Sequence, residues 1–208
     1  LVGSEMCIRD RLNTGDEIIN DSIKKNWPEI YKNNYIMTFP THTPNFYWWQ
    51  NLLIKKNKIY SKADFKFLCG TNIIYTNMLR PEPAWNLFIW NCRFAKETIC
   101  VGTGLGINSK KMTIYTKMLF KRVLSHNYVH SVRDEKTKEF LENLGLKAVN
   151  TGCPTLWGLT PEFCESIPTK KSNKVIFTLT SYEEDRENDQ LMICLLYTSP
   201  SPRDISGS

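Results

Sequence analysis

No two cysteines of this chain stand at CxxC spacing, only three histidines occur, and no apolar run approaches the roughly 18 residues of a membrane-spanning helix. The first absence removes the usual zinc ligand sets, and the seven cysteines show no spacing that reads as a disulfide framework. A reduced, cytoplasmic compartment fits such cysteine usage best, and no metal site is expected. Basic residues outnumber acidic ones, 27 to 21, for a net charge of +6, yet they form no basic stripe. That excess suits anionic ligands or a membrane surface and carries no nucleic-acid signature. The runs Lys55-Lys56-Asn57-Lys58 and Lys170-Lys171 read as solvated loop faces. The GxGxxG spacing of dinucleotide-binding turns is also missing. Its nearest approach, Gly102-Thr103-Gly104-Leu105-Gly106, has the wrong period, no acidic residue at the expected distance downstream, and residues 109–111 before the following helix.

The two ends of the chain are set aside. The codons available to residues 1–11 include a string whose reverse complement, read one base in, encodes Cys-Leu-Leu-Tyr-Thr-Ser-Pro-Ser-Pro-Arg, which is residues 194–203. Independent evolution does not place the two strands of one DNA at opposite ends of a domain, and the string resembles the inverted end of a transposon-based sequencing adapter. Residues 1–11 and 194–208 are therefore read as adapter-derived and kept out of fold reasoning, as a fusion scar would be. Each end is charge-balanced, so the basic excess belongs to residues 12–193. This stretch reads as a fragment truncated at both ends and is expected to be inactive by itself.

Between those limits the apolar periodicity alternates between the helical and the strand kind. Helices are predicted at residues 16–26, 46–56, 85–94 and 112–124, the last with Tyr115, Met118, Leu119 and Val123 inward. Strands are predicted at 35–39, 63–69, 98–101, 128–132 and 147–150. Such βαβ alternation, with strands ending at glycines, predicts a parallel sheet covered by helices on both faces. The expected fold is a Rossmann-like α/β domain over residues 12–168 that lacks its first strand. After Pro168 a polar stretch precedes the strongly apolar segment 174–180, read as the opening strand of a second domain over residues 172–193.

The most informative segment follows the strand at 128–132. Thr137, Phe140, Leu141 and Leu144 fall on one helical face with charges opposite, Asp134 suits the N-cap, and Gly145 suits a left-handed residue that stops the helix. Arg133 thus sits where a strand hands over to a helix. In an open α/β sheet ligands bind beyond the carboxyl ends of the strands, so a cation there points to an anionic substrate.

Three glycine-centred turns stand at matching places: Asn13-Thr14-Gly15-Asp16, Cys69-Gly70-Thr71-Asn72 and Gly102-Thr103-Gly104-Leu105-Gly106. Glycine lets backbone approach a ligand closely, and amides at a helix N-terminus favour phosphate or carboxylate. By pattern alone, structural tight turns are the commoner reading. Asp16 is read first as a cap that complements its helix dipole, with an acceptor hydroxyl as the alternative partner. His130, near Arg133, has a phosphate as its functional reading and a satisfied core position as the commoner one. The cluster Phe46-Tyr47-Trp48-Trp49, with Trp85 and Trp90, reads chiefly as core, with one of the first four left to face a ligand.

In order along the chain, the patterns N-x-G-D-E, A-D followed after five residues by G, V-G-x-G-x-G, S-V-R-D with a helix ending in L-G, and G-C-P-T-L-W resemble the polysaccharide pyruvyl transferase family. The matching stretches are residues 13–18, 63–72, 99–107, 131–146 and 151–157. The resemblance implies the N-terminal half of a two-domain fold similar to GT-B glycosyltransferases, with the active site in the cleft between domains. It also implies transfer of the enolpyruvyl unit of phosphoenolpyruvate to two sugar hydroxyls, as a cyclic ketal on a cell-surface or exported polysaccharide. Phosphoenolpyruvate would be the donor substrate with no cofactor, and a glycan or lipid-linked sugar the acceptor, which would hold the enzyme peripherally at a membrane. Arg133 matches the family's Ser/Thr-x-Arg-Asp position. With it, Asn13, Gly15, Asp16, Gly70, Asn72, Gly102 and Gly104 are the candidate substrate-binding residues. Gly70-Thr71 departs from the two successive glycines of many members. The basic residues and the histidine general acid of the family's second half fall beyond Ile193, so no catalytic residue is assigned. A GT-B-type glycosyltransferase using a nucleotide sugar and a non-catalytic glycan-binding relative stay open as alternatives.

Overall fold

The computed structural model describes residues 2–5, 14–41, 47, 49–50, 62–79, 85–107, 109, 111–170 and 186–198. It divides into two units, Leu1–Pro161 and Glu162–Ser208. In chain order the first unit contains β1 (Val2–Glu5), α1 (Thr14–Asn26), α2 (Pro28–Asn33), β2 (Met37–Thr38), β3 (Lys66–Cys69), β4 (Asn72–Tyr75), β5 (Thr98–Val101), β6 (Gly104–Gly106), α3 (Ile114–Val123), β7 (His130–Val132), α4 (Glu135–Glu142) and β8 (Ala148–Asn150). It is a mixed α/β unit in which every strand pairing is parallel. One sheet runs β2-β1-β3-β5, and β4 with β6 and β7 with β8 form further pairs. Past Gly70 and Gly102, β3 and β5 continue as β4 and β6. The backbone joins β5 to β7 where Gly102 N–H donates to the Ser131 carbonyl and Arg133 N–H to the Thr103 carbonyl, both at 3.0 Å.

Strand periodicity sorts the core into two faces. On one face Phe67, Cys69, Ile99 and Val101 pack with Ile19 and Ile23 of α1. On the other, Leu68 and Cys100 join Leu119, Phe120 and Val123 of α3 and Phe140 and Leu141 of α4. β3 and β5 are buried along their whole length, on both faces, as inner strands of a parallel sheet are.

α4 follows its sequence closely. Asp134 Oδ1 accepts from the Thr137 N–H and from Thr137 Oγ1, each at 2.8 Å, and Thr137, Phe140, Leu141 and Leu144 are all buried. At the other end Gly145 adopts φ +81°, with Gly145 N–H donating to Glu142 O at 2.8 Å and Leu146 N–H to Leu141 O at 3.1 Å. That pair of bonds is a Schellman closure, which satisfies two carbonyls of the last turn.

The strand position that residues 12–168 leave open holds β1, from the stretch read as adapter-derived, whose backbone pairs with β2 and β3. Two flanking strands present unpaired N–H and C=O groups, and any short extended segment satisfies them through its main chain. Three expectations are corrected. Residues 85–94 form no α-helix, only a 3-10 turn at Cys92–Ala95. Asn91 Oδ1 accepts from Phe88 N–H and the Tyr115 hydroxyl from Ile89 N–H, so side chains take the backbone bonds a helix would have made. In α3 the inner face carries Thr116, Leu119, Phe120 and Val123, and Met118 is exposed. The glycine run at 104–106 is not only a turn, because it forms β6.

The predicted helix at 46–56, apart from Tyr47, Trp49 and Gln50, and the predicted strand at 174–180 lie outside the described residues. In the second unit a helix spans Arg186–Thr198 and crosses position 194.

Candidate functional site

Arg133 is the residue after β7, and its backbone is fixed by the bond from its N–H to Thr103 O. Its Nη2 donates to Oδ1 of Asn72, the first residue of β4. The space for this meeting is made by Gly104. A Cβ there would strike both the guanidinium and Asn72 Oδ1. Arg133 Nε stands 3.9 Å from Asp134 Oδ2, beyond hydrogen-bonding distance, and the side chain keeps 26% of its surface exposed. A guanidinium has five N–H donors, so most of the fork remains open for a ligand while one arm is anchored.

The glycines serve this end of the sheet by admitting neighbours. Gly70 (φ +109°) donates to Val101 O at 3.2 Å, Gly102 (φ +63°) to Ser131 O and to Ser131 Oγ at 3.1 Å, and Gly104 to Thr71 O at 3.0 Å. Their amides are engaged by the chain itself. The Cβ position of Gly102 is filled by the Pro154 ring, and that of Gly70 is 3.9 Å from Ile19 of α1. Ser131 Oγ and Thr151 Oγ1 lie 2.6 Å apart, Trp157 Nε1 donates to Thr151 O at 2.9 Å, and Cys153 and Trp157 pack beside Ile19 and Val101. Four of the family-like stretches, residues 63–72, 99–107, 131–146 and 151–157, therefore meet here, with G-C-P-T-L-W acting as the plug. Gly15 lies in the exposed first turn of α1, and Asp16 follows it within that helix; Asn13 lies outside the described residues. Arg133, Asn72 and Gly104 form one contact group, with Gly102 and Gly70 in the turns below. The hydroxyl pair Ser131–Thr151 was not singled out from the sequence. Its signal was available, since each residue opens one of the motif stretches.

His130 belongs to the other end of β7 and has a different role. It is fully buried. Nδ1 accepts from the Cys100 N–H at 3.0 Å, and Nε2, 2.9 Å from Ser125 O, is the donor in the only tautomer that serves both bonds. Burial pushes its pKa down, against the raising effect of the Ser125 carbonyl. It is a neutral structural imidazole whose two ring nitrogens are both taken by backbone groups. The Cys100 thiol is pushed up to about 12 by burial and stays protonated. Among the described residues no three His, Cys, Asp or Glu side chains gather as a metal-binding group, and no helix is long and apolar enough to cross a membrane.

Of the aromatic residues, Tyr47 and Trp49 are exposed and stack with centroids 6.1 Å apart, Trp90 is exposed and stacks on Phe88, and Trp85 is buried. Phe46 and Trp48 lie outside the described residues.

No curated protein and no solved structure matches the chain. The family model described as polysaccharide pyruvyl transferase matches residues 13–204, taking in the glycine turns, Arg133 and the plug that closes over them. On that match, which covers most of the sequence, the chain belongs to the polysaccharide pyruvyl transferase family.

Proposed function

We propose that this chain is the Rossmann-like N-terminal half of a GT-B-like transferase that moves the pyruvyl unit of phosphoenolpyruvate onto a sugar as a ketal. The reaction balances without a redox partner. Two sugar oxygens bond to C2 and lose their protons, one to C3 of the enolpyruvyl group and the other to the departing phosphate, as the C2–O bond to phosphate breaks and inorganic phosphate is released. Donor and leaving group are anionic throughout, so the site needs preorganised cations with planar recognition of carboxylate or phosphate. The observation that carries this reading is the Arg133 guanidinium, anchored on Asn72 across Gly104 with most of its N–H groups unspent at the carboxyl ends of the strands. The family match supports a polysaccharide acceptor.

The test is release of phosphate and incorporation of pyruvate when the whole enzyme meets phosphoenolpyruvate and a sugar acceptor. Saturable transfer that Arg133→Ala impairs is the expected result. Activity with a nucleotide sugar and none with phosphoenolpyruvate would move the assignment to a glycosyltransferase.

A further inference from the structure

The end of the sheet away from Arg133 carries a cavity of about 510 Å³, within the range of ligand pockets. Aromatic rings dominate its wall. Trp27 meets Phe67 edge-on at 5.2 Å, Phe65 stacks on Phe67 at 6.2 Å, and Tyr128 meets Phe65 edge-on at 5.6 Å. Phe67 is buried and fixes the set, whereas Trp27, Phe65 and Tyr128 keep 37%, 37% and 47% of their surface exposed. Two polar side chains join them. Asp64 makes no hydrogen bond or ion pair with any described residue, and Asn34 is steadied by an Nδ2 bond to Ile30 O at 3.0 Å. Among the described residues no lysine or arginine lines the cavity.

That lining excludes the donor chemistry of the opposite end, because a lone carboxylate repels phosphate and carboxylate ligands. It suits a ligand with an apolar face for the rings and hydroxyl donors for two oxygen acceptors. A neutral pyranose has both, with axial C–H groups on one face and O–H groups around its edge. We infer that this cavity is a second, non-catalytic glycan subsite, which holds an unmodified sugar unit of the acceptor polysaccharide while another unit reacts near Arg133. This rests on the acceptor being a polymer. Tyr128 and Arg133 bracket β7, five residues apart, or ~17 Å at ~3.3 Å per residue, a span that several linked sugars bridge and a single sugar does not.

The experiment compares wild type, Tyr128→Ala and Asp64→Ala in the whole enzyme, all at exposed positions outside the strands. Calorimetry gives binding of the unmodified polysaccharide, and pyruvyl transfer is followed to the polymer and to a single-sugar acceptor. Each variant is expected to raise Kd and KM for the polymer by about tenfold, with kcat and the single-sugar KM unchanged. Unaltered polymer Kd and KM in both folded variants would overturn the subsite. So would displacement of the polymer by tetramethylammonium, which would mark the rings and Asp64 as a cation cage. If wild type binds polymer, the variants do not, and no pyruvate is transferred by any of them, the subsite stands and the proposed reaction falls.

Discussion

β7 has a nitrogen base at each end, His130 as its first residue and Arg133 just past its last, and the fold treats them oppositely. At the amino end every hydrogen-bonding group of the imidazole is spent on backbone. Its neighbours are spent as well, with Ser125 Oγ donating to Glu97 at 2.7 Å and Lys66 Nζ to Lys96 O at 2.8 Å. At the carboxyl end Arg133 commits one donor to Asn72 and holds the rest at the surface. β5 and β7 begin to hydrogen-bond only at Gly102, so the Cys100 N–H has no strand partner and the His130 ring supplies one. A polar group whose capacity is used up by the chain maintains the fold. One whose capacity is left over, beside glycines that clear its surroundings, is equipped for a ligand.

The sharpest way to break this contrast is to truncate each base and ask which loses activity and which loses stability. Arg133→Ala should lower kcat/KM by an amount equivalent to about 2 to 5 kcal/mol, as when one partner of a buried charge pair is removed, with an unfolding transition close to wild type. Arg133→Lys should restore only part, because a point charge cannot reproduce two parallel hydrogen bonds. Unchanged kcat/KM in folded Arg133→Ala would remove Arg133 from the site. His130→Ala should do the reverse. It strands the Cys100 N–H and the Ser125 carbonyl and leaves a void, a cost of about 3 kcal/mol in denaturant unfolding, while the folded fraction keeps its kcat/KM.

Acid sharpens the same comparison. Burial holds the His130 pKa below its ordinary value near 6.5. Its contribution to stability is therefore fully present above that value. It is lost as pH falls from there toward the folded pKa, since the unfolded chain takes up a proton that the folded ring refuses. The slope of stability against pH below 6.5 should flatten in His130→Ala; an identical slope would mean that His130 does not titrate as its surroundings require.

What was legible in the sequence is what is decided locally. Asp134, Gly145 and the inner face of α4 lie within a dozen residues of one another, and each takes the position its chemistry predicts. The misses depend on distant partners. β6 hides in glycines because Asn72, Tyr75 and Arg133 need the room. Arg133 was legible as a cation at a strand end, but its anchor lies 61 residues away in sequence. The aromatic cavity was not legible, since Trp27, Phe65 and Tyr128 come from three separated segments.

Smaller effects test the glycines and the cap. Gly102→Ala places a Cβ at φ +63° and into the Pro154 ring, so it should cost the roughly 1 to 2 kcal/mol of a left-handed L-residue plus displacement of the plug. Gly145→Ala, at φ +81° with open space around it, should cost only about 1 kcal/mol. Equal losses in a thermal melt would show that the plug yields freely and does not fix the floor of the site.

Asp134 adjoins Arg133 and therefore marks how sharply fold and function divide at this end. Its Oδ1 serves the Thr137 backbone and hydroxyl, while Oδ2 is 3.9 Å from Arg133 in a partly exposed pair. Exposed pairs of that kind contribute little, so Asp134→Ala should act mainly through the lost cap, at about 1 kcal/mol of stability. Asp134→Asn caps nearly as well and should restore the melting temperature, with kcat/KM near wild type. If Asp134→Asn recovers stability yet loses turnover, the carboxylate charge itself is needed beside Arg133, and Asp134 must be counted among the groups that orient the guanidinium toward its ligand.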